Sequence, residues 1–209
     1  MSYKNYLNVY DFSCELPGTG EVVKYKPLTT GQIKKLLVHE KETNPIVLEN
    51  VFDQLITSSV ISEDFDIDKI YVQDKIFLLI EIRKHSKGEQ FTFQFTCPKC
   101  KSQNLNYFDF NKLEVIKKQN TEYGEVTAGD NIKLYIDFIT RGEQKESYNM
   151  IENIEELTDS QIRAEMSLHS LASGIKKVES PDGIEEIGVE DKLYIVNSLT
   201  VDDLEEIRK

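Results

Sequence analysis

Tryptophan is absent from this chain of 209 residues, cysteine occurs three times and proline five times. Cys14, Cys97 and Cys100 cannot all pair with one another, and a chain of this size scarcely needs cross-links. The pattern fits free or metal-bound thiols in a reducing compartment. Also missing is any run near the ~20 apolar residues that a membrane span requires. Residues 1–10 lack the charged-then-apolar pattern of a secretory signal, so the expectation is a protein that stays where it is made. Basic charge is scarce: 25 Lys and Arg stand against 37 Asp and Glu, a net charge of −12. Such a field repels phosphate backbones, and the basic pairs Lys34-Lys35, Lys117-Lys118 and Lys176-Lys177 are short and scattered. Nucleic acid is disfavoured as a partner.

The spacings that assemble catalytic chemistry are missing as well. There is no Gly-x-Ser-x-Gly elbow, no His-Glu-x-x-His and no phosphate-cradling glycine loop. The expectation is therefore a protein that is not an enzyme. His39 and His169 fall on predicted helices, where a surface or boundary histidine is the common case. Acidic pairs such as Glu155-Glu156, Asp202-Asp203 and Glu205-Glu206 read as solvated faces. Leu16-Pro17-Gly18-Thr19-Gly20 looks like a sorting signal but has no apolar tail behind it, and reads as a turn.

What is present suits a folded chain: 39% hydrophobic residues, 30% charged, and ten each of Tyr and Phe. Residues 7–15 and 21–27 read as strands around the Leu16–Gly20 turn, with Val23 and Tyr25 sharing one face. Thr29 or Thr30 caps a helix to about His39, with Ile33, Leu36 and Leu37 on one side. After Asn44-Pro45 comes an amphipathic helix carrying Ile46, Leu48, Val51, Phe52, Leu55 and Ile56. The span 72–84 is apolar over so much of its circumference that a central position in the core is expected. Gly88 stops it.

From Gln90 to Thr96, Phe91, Phe93 and Phe95 alternate with polar residues, and 105–110 reads as the returning strand. A second antiparallel pair is predicted over 121–127 and 132–140, joined by Ala128-Gly129-Asp130-Asn131. Helices are expected over 142–154, 160–171, 189–198 and 201–209, with a hairpin turned by Ser180-Pro181-Asp182-Gly183. Tyr25 to Gln32 faintly echoes Tyr135 to Gln144, though the alignment needs gaps. The fold class is α+β: antiparallel hairpins packed with amphipathic helices. Three regions are expected, 1–88, 89–140 and 141–209, or else one compact domain holding all of them.

Cys97-Pro98-Lys99-Cys100 is the one chemically loaded motif. Two cysteines spaced by two residues at a hairpin bend can hold one edge of a tetrahedral Zn²⁺, as in half of a zinc ribbon. A closed site wants four ligands, and no second cysteine pair follows. Of the remaining candidates, His85 precedes a strand of seven residues that would hold it ~20 Å or more away. Cys14 lies near a turn and could approach, though nothing in the sequence demands it, and His39 and His169 are not tied to the motif by spacing. Two chains, each donating its pair, could instead share one ion, or the knuckle could serve only as a tight turn. A thioredoxin-like role would need Cys97 or Cys100 at a helix N-terminus, and the residues that follow read as a strand.

Lys26-Pro27-Leu28-Thr29-Thr30-Gly31-Gln32-Ile33-Lys34-Lys35-Leu36-Leu37, preceded by a strand ending in Leu-Pro-x-x-Gly, resembles the opening of T-even-type phage baseplate hub assembly proteins. The block Asp74-Lys75-Ile76-Phe77-Leu78-Leu79-Ile80-Glu81-Ile82-Arg83, then a glycine turn, an aromatic strand and Cys97-Pro98-Lys99-Cys100, is similar to that family too. Leu199 to Leu204 fits it loosely. The resemblance spans most of the chain and implies a role in building the central hub of the tail baseplate. It implies other hub proteins as partners, in the host bacterial cytoplasm during assembly or in the virion baseplate, and no small-molecule catalysis. Self-association stays open. Within the block Arg83 and Gly88 stand out as interaction or structural residues, Arg83 as an anchor and Gly88 for its backbone freedom. The competing reading is a zinc-ribbon-like adaptor on nucleic acid or a transcription complex, which would need a basic face.

Overall fold

The alternation at Val22 to Tyr25 has a direct cause: Val23 and Tyr25 are fully buried, while Val22 and Lys24 face out. A computed structural model describes residues 10–118, 123–129, 131–200 and 203. Residues 7–9 of the expected first strand, 121–122 of the expected strand 121–127, the turn residue Asp130 and, Asp203 apart, the expected helix 201–209 lie outside the described residues. The chain divides into two compact units. One takes in Met1–Glu42, Leu48–Asp66 and Asp74–Lys118, the other Thr43–Val47, Ile67–Gln73 and Gln119–Lys209.

In the first unit, β1 (Phe12–Glu15) and β2 (Val22–Tyr25) form an antiparallel hairpin, with Cys14 opposite Val23. Its turn closes through Leu16 N–H on Glu21 O at 2.8 Å and Gly20 N–H on Leu16 O at 2.9 Å. Helix α1 (Thr30–Val38) starts with a capping box: Thr29 and Gln32 satisfy each other's backbone N–H groups. Its expected apolar side is only shallowly covered, and Leu37 is exposed. Helix α2 (Pro45–Ser59) is capped by the Asn44 side chain and buries Leu55 and Ile56. Past its end, Val60 bridges Tyr25, so the hairpin edge is continued by a short backbone contact.

Helix α3 (Val72–Lys87), apolar over much of its circumference, buries one face. One stripe is buried, Asp74 and Lys75, then Leu78, then Ile82, at the three-to-four spacing of a single helical face, while Ile76 is 54% exposed. Leu78 and Ile82, both fully buried, contribute roughly 2–3 kcal/mol each. The upper end of the stripe is ionic. Asp74 accepts the N–H groups of Gly18 and Thr19 at 2.6 and 2.9 Å, and so pins the first turn to α3. Lys75 pairs with Asp53 at 2.7 Å and with Glu49. At the other end, Ser86 Oγ accepts from Leu28 N–H at 2.8 Å. Strands β3 (Gln90–Thr96) and β4 (Gln103–Asp109) follow as an antiparallel hairpin.

The second unit carries a four-stranded antiparallel sheet in sequential order: β5 (Gly124–Ala128), β6 (Ile132–Ile136), β7 (Ile175–Ser180) and β8 (Gly183–Glu185). Between β6 and β7 run α4 (Arg141–Tyr148) and α5 (Asp159–Gly174), and α6 (Val189–Ser198) follows β8. Leu134, Ile175 and Val178 from the sheet pack with Ala172 of α5 and Val196 of α6 into one core. A smaller cluster joins Ile151, Ile162 and Met166. The expected helix 142–154 is shorter because Asn149 ends it, and a 3-10 turn covers Ile154–Glu156.

Thr140 and Glu143 form a capping box at α4, as Thr158 and Gln161 do at α5. The faint echo between Tyr25–Gln32 and Tyr135–Gln144 therefore has a local cause, since both segments enter a helix through the same capping chemistry. Gly142 lies where its N–H meets Asp68 O at 2.9 Å, and a Cβ there would sit 2.9 Å from that oxygen. Among the described residues no helix is long and apolar enough to cross a membrane.

Candidate functional site

Helix α3 ends where Gly88, at φ 89°, donates to Lys84 O at 2.9 Å. A Cβ at Gly88 would meet nothing within 4 Å, so glycine is required there by the backbone angle and not by crowding. Arg83, one turn earlier, donates to the carbonyls of Gly88 and Gln90, the latter at 2.9 Å. Its guanidinium also lies over two rings, 4.7 Å from the Phe110 centroid and 5.6 Å from that of Phe91. Phe110 N–H closes the base on Glu89 O at 2.9 Å. The planar fork reaches both carbonyls at once, which a single ammonium would not match. Arg83 and Gly88, singled out from the sequence, together set the base of the β3–β4 hairpin.

Above that base the hairpin is bare. Every residue of β3 is exposed, and the register sets Phe91 opposite Phe108, Phe93 opposite Asn106 and Phe95 opposite Asn104. Cross-strand partners share a face, so Phe91, Phe93, Phe95 and Phe108 form one aromatic surface. Ring centroids step along it at 6.1 and 6.4 Å. Phe93 is 38% exposed, Phe91 and Phe95 46% each. The other face carries Leu105 and Tyr107, also exposed, among polar neighbours. A two-stranded hairpin is marginal in water by itself, and contiguous exposed aromatic surface is the usual mark of a contact site.

Cys97 and Cys100 occupy the tip. Cys97 N–H donates to Ser102 O and Lys101 N–H to Cys97 O, both at 2.9 Å, and Lys101 takes the left-handed φ of 60°. Cys100 Sγ lies 3.0 Å from Ser102 Oγ. Hydrogen bonds from the Ser102 side chain and backbone, and then from Cys97, lower the Cys100 thiol to about 7. No helix begins at Cys100; the chain passes into β4, which removes the thioredoxin-like arrangement. Among the described residues no group of three or more His, Cys, Asp or Glu could hold a metal ion.

The other sulfur and imidazole groups are engaged elsewhere. Cys14 sits in β1, where burial and the nearby Glu81 and Asp74 push its thiol up to about 12. His85 stacks on Phe12 at 3.8 Å and bonds the Tyr25 hydroxyl through Nδ1 at 2.9 Å. His39 caps the end of α1. His169 corrects the expectation of a surface or boundary histidine: it is 6% exposed in α5, with Nδ1 unpartnered. Sequence reasoning also missed Asp74 and Lys75 as buried anchors. Their signal was a charged pair immediately ahead of an apolar run, one member serving a glycine-containing turn far away in sequence.

The model of the family described as T4 bacteriophage base plate protein matches residues 9–209. The chain belongs to that family. No curated protein and no solved structure matches it. The match spans both compact units, so the hairpin with its Arg83 anchor and cysteine tip lies inside the matched region of this baseplate protein. Its role is accordingly in baseplate structure or assembly.

Proposed function

We propose that this baseplate protein acts in assembly of the central hub, as a hub subunit or an assembly chaperone, through protein–protein contacts and without catalysing small-molecule chemistry. The exposed phenylalanine face of β3 and β4, anchored at its base by Arg83, is the contact surface. One observation carries the reading: a seven-residue strand exposed along its whole length, with three phenylalanines on one side. Water contact with that face is unfavourable, and covering it on a partner supplies binding free energy of the usual hydrophobic kind. Between Gln90 and Phe108 only Lys99 and Lys101 are charged, so a partner meets little of the chain's acidic field there. The protein works in the host cytoplasm during assembly, and in the finished baseplate if it is a subunit.

The test is complementation of phage that cannot make the protein. Infections without it should stall before a complete baseplate forms, while heads and DNA replication proceed. Wild-type protein should restore tails, and a Phe93→Ser, Phe95→Ser double variant of unchanged fold should not. Normal tails in its absence, with a defect in replication or late transcription, would overturn the proposal and favour an adaptor on nucleic acid.

A further inference from the structure

The hairpin tip offers half of a metal site. We propose that two copies of this chain join tip to tip through one Zn²⁺ held tetrahedrally by Cys97 and Cys100 of each copy. The proposal is independent of the assembly role above.

Structural zinc is closed by four ligands, and two cysteines on a tight knuckle supply one edge of that tetrahedron. Cys97 and Cys100 lie on one turn between Thr96 and Gln103, held by the Cys97–Ser102 and Lys101–Cys97 backbone bonds. Lys101 takes the left-handed conformation that lets the chain curl around its sulfurs. Both cysteines are unpaired and neither is fully buried, with Cys100 exposed. What the tip lacks is the second pair. All the remaining cysteine and histidine side chains lie within the described residues, and Cys14, His39, His85 and His169 are placed on other elements. Along β3 the seven residues from base to tip span roughly 23 Å, so His85, before the base, cannot bend back to the knuckle. A second copy brings an identical pair by a two-fold axis through the ion, a closed and self-complementary arrangement.

Charge favours the same partner. Zinc with four thiolates leaves two excess negative charges, and each tip presents Lys99 and Lys101 beside them. Two chains of net charge −12 repel each other. At the tips themselves that repulsion is weakest, because Lys99 and Lys101 are the only charged residues between Gln90 and Phe108 and the base of the hairpin lies roughly 23 Å away along β3, beyond the Debye length of about 8 Å at physiological salt. Binding releases the thiol protons and forms four Zn–S bonds, with no change of oxidation state.

The experiment uses the full chain, reduced and loaded with zinc, in sedimentation with parallel metal analysis. The expected result is half a zinc per chain and a species of twice 24.2 kDa, returning to monomer when a chelator strips the metal. Cys97→Ser and Cys100→Ser should each lose zinc and dimer together, with an unchanged circular dichroism spectrum. Cys14→Ser should keep both, and Cys100→His should keep the dimer, because a Cys₂His₂ set still closes the site. Replacing zinc by cobalt should give the absorption of a four-thiolate site. One zinc per monomer, a zinc-free monomer, or a dimer that survives the chelator would each overturn the proposal. So would zinc held only in a complex with a different baseplate protein.

Discussion

Replacing Arg83 by alanine removes two donations to backbone carbonyls, of Gly88 and Gln90, and two ring contacts, with Phe91 and Phe110. A hydrogen bond from a charged donor contributes about 1.5–3 kcal/mol when buried, and a half-exposed one sits at or below the low end. Exposed cation–π contacts add ~0.5 kcal/mol each. These terms share one side chain and do not simply add, so the loss is about 2 kcal/mol. It falls on the hairpin base, where Phe110 N–H closes on Glu89 O, and not on the cores at Leu78 or Leu134. Amide hydrogen exchange reads this directly. Protection of residues in 88–110 should fall about thirtyfold, since 1.4 kcal/mol is a factor of ten. Protection around Leu134 and Ile175 should hold. Arg83→Lys, which reaches one carbonyl at a time, should fall between wild type and alanine. Equal loss of protection across the whole chain, or none in the hairpin, would refute the anchoring argument.

Three further outcomes follow from contacts already described. Asp74→Ala removes the acceptor of two part-buried N–H groups, of Gly18 and Thr19, and should cost about 1–3 kcal/mol in urea unfolding; a loss below ~1 kcal/mol would mean that water replaces the carboxylate. Gly142→Ala drives a Cβ to 2.9 Å from Asp68 O and should cost about 1–3 kcal/mol, whereas Gly31→Ala, whose nearest neighbour lies at 3.8 Å, should cost little. In metal-free reduced protein, alkylation of Cys100 should be half-maximal near pH 7 and move upward in Ser102→Ala, while Cys14, raised to about 12, should stay unreactive until the protein unfolds. Equal reactivity of the two thiols at neutral pH would contradict that contrast.

Local rules made much of the fold legible. Thr29 announced its helix because a capping box is written in four residues, and the structure shows the same chemistry at Thr140 and Thr158. Ser180-Pro181-Asp182-Gly183 turned as expected, with Ser180 paired to Gly183, and the Phe91-Phe93-Phe95 alternation placed one face of the hairpin. What stayed hidden depends on distant partners. Asp74 is buried because a turn 55 and 56 residues away needs two acceptors. The apolar density of 72–84 suggested a central position in the core, yet composition does not say which faces find neighbours, and Ile76 stays exposed. His169 lies buried on α5, a helix that contacts both α4 and α6, neighbours that its own sequence does not reveal. At the candidate site Arg83 and Gly88 were legible as positions, and their shared task was not, since it is set by where Gln90 O and Phe110 fall.

The central claim is that the phenylalanine face of the β3–β4 hairpin is where this baseplate protein meets its partners. The most direct measurement places a photo-cross-linking amino acid at position 93 during infection, with a control at Tyr194, which is 75% exposed on α6. The account predicts that position 93 captures another phage baseplate polypeptide in high yield and that position 194 does not. Capture from position 194 alone, or of nucleic acid from position 93, would contradict it.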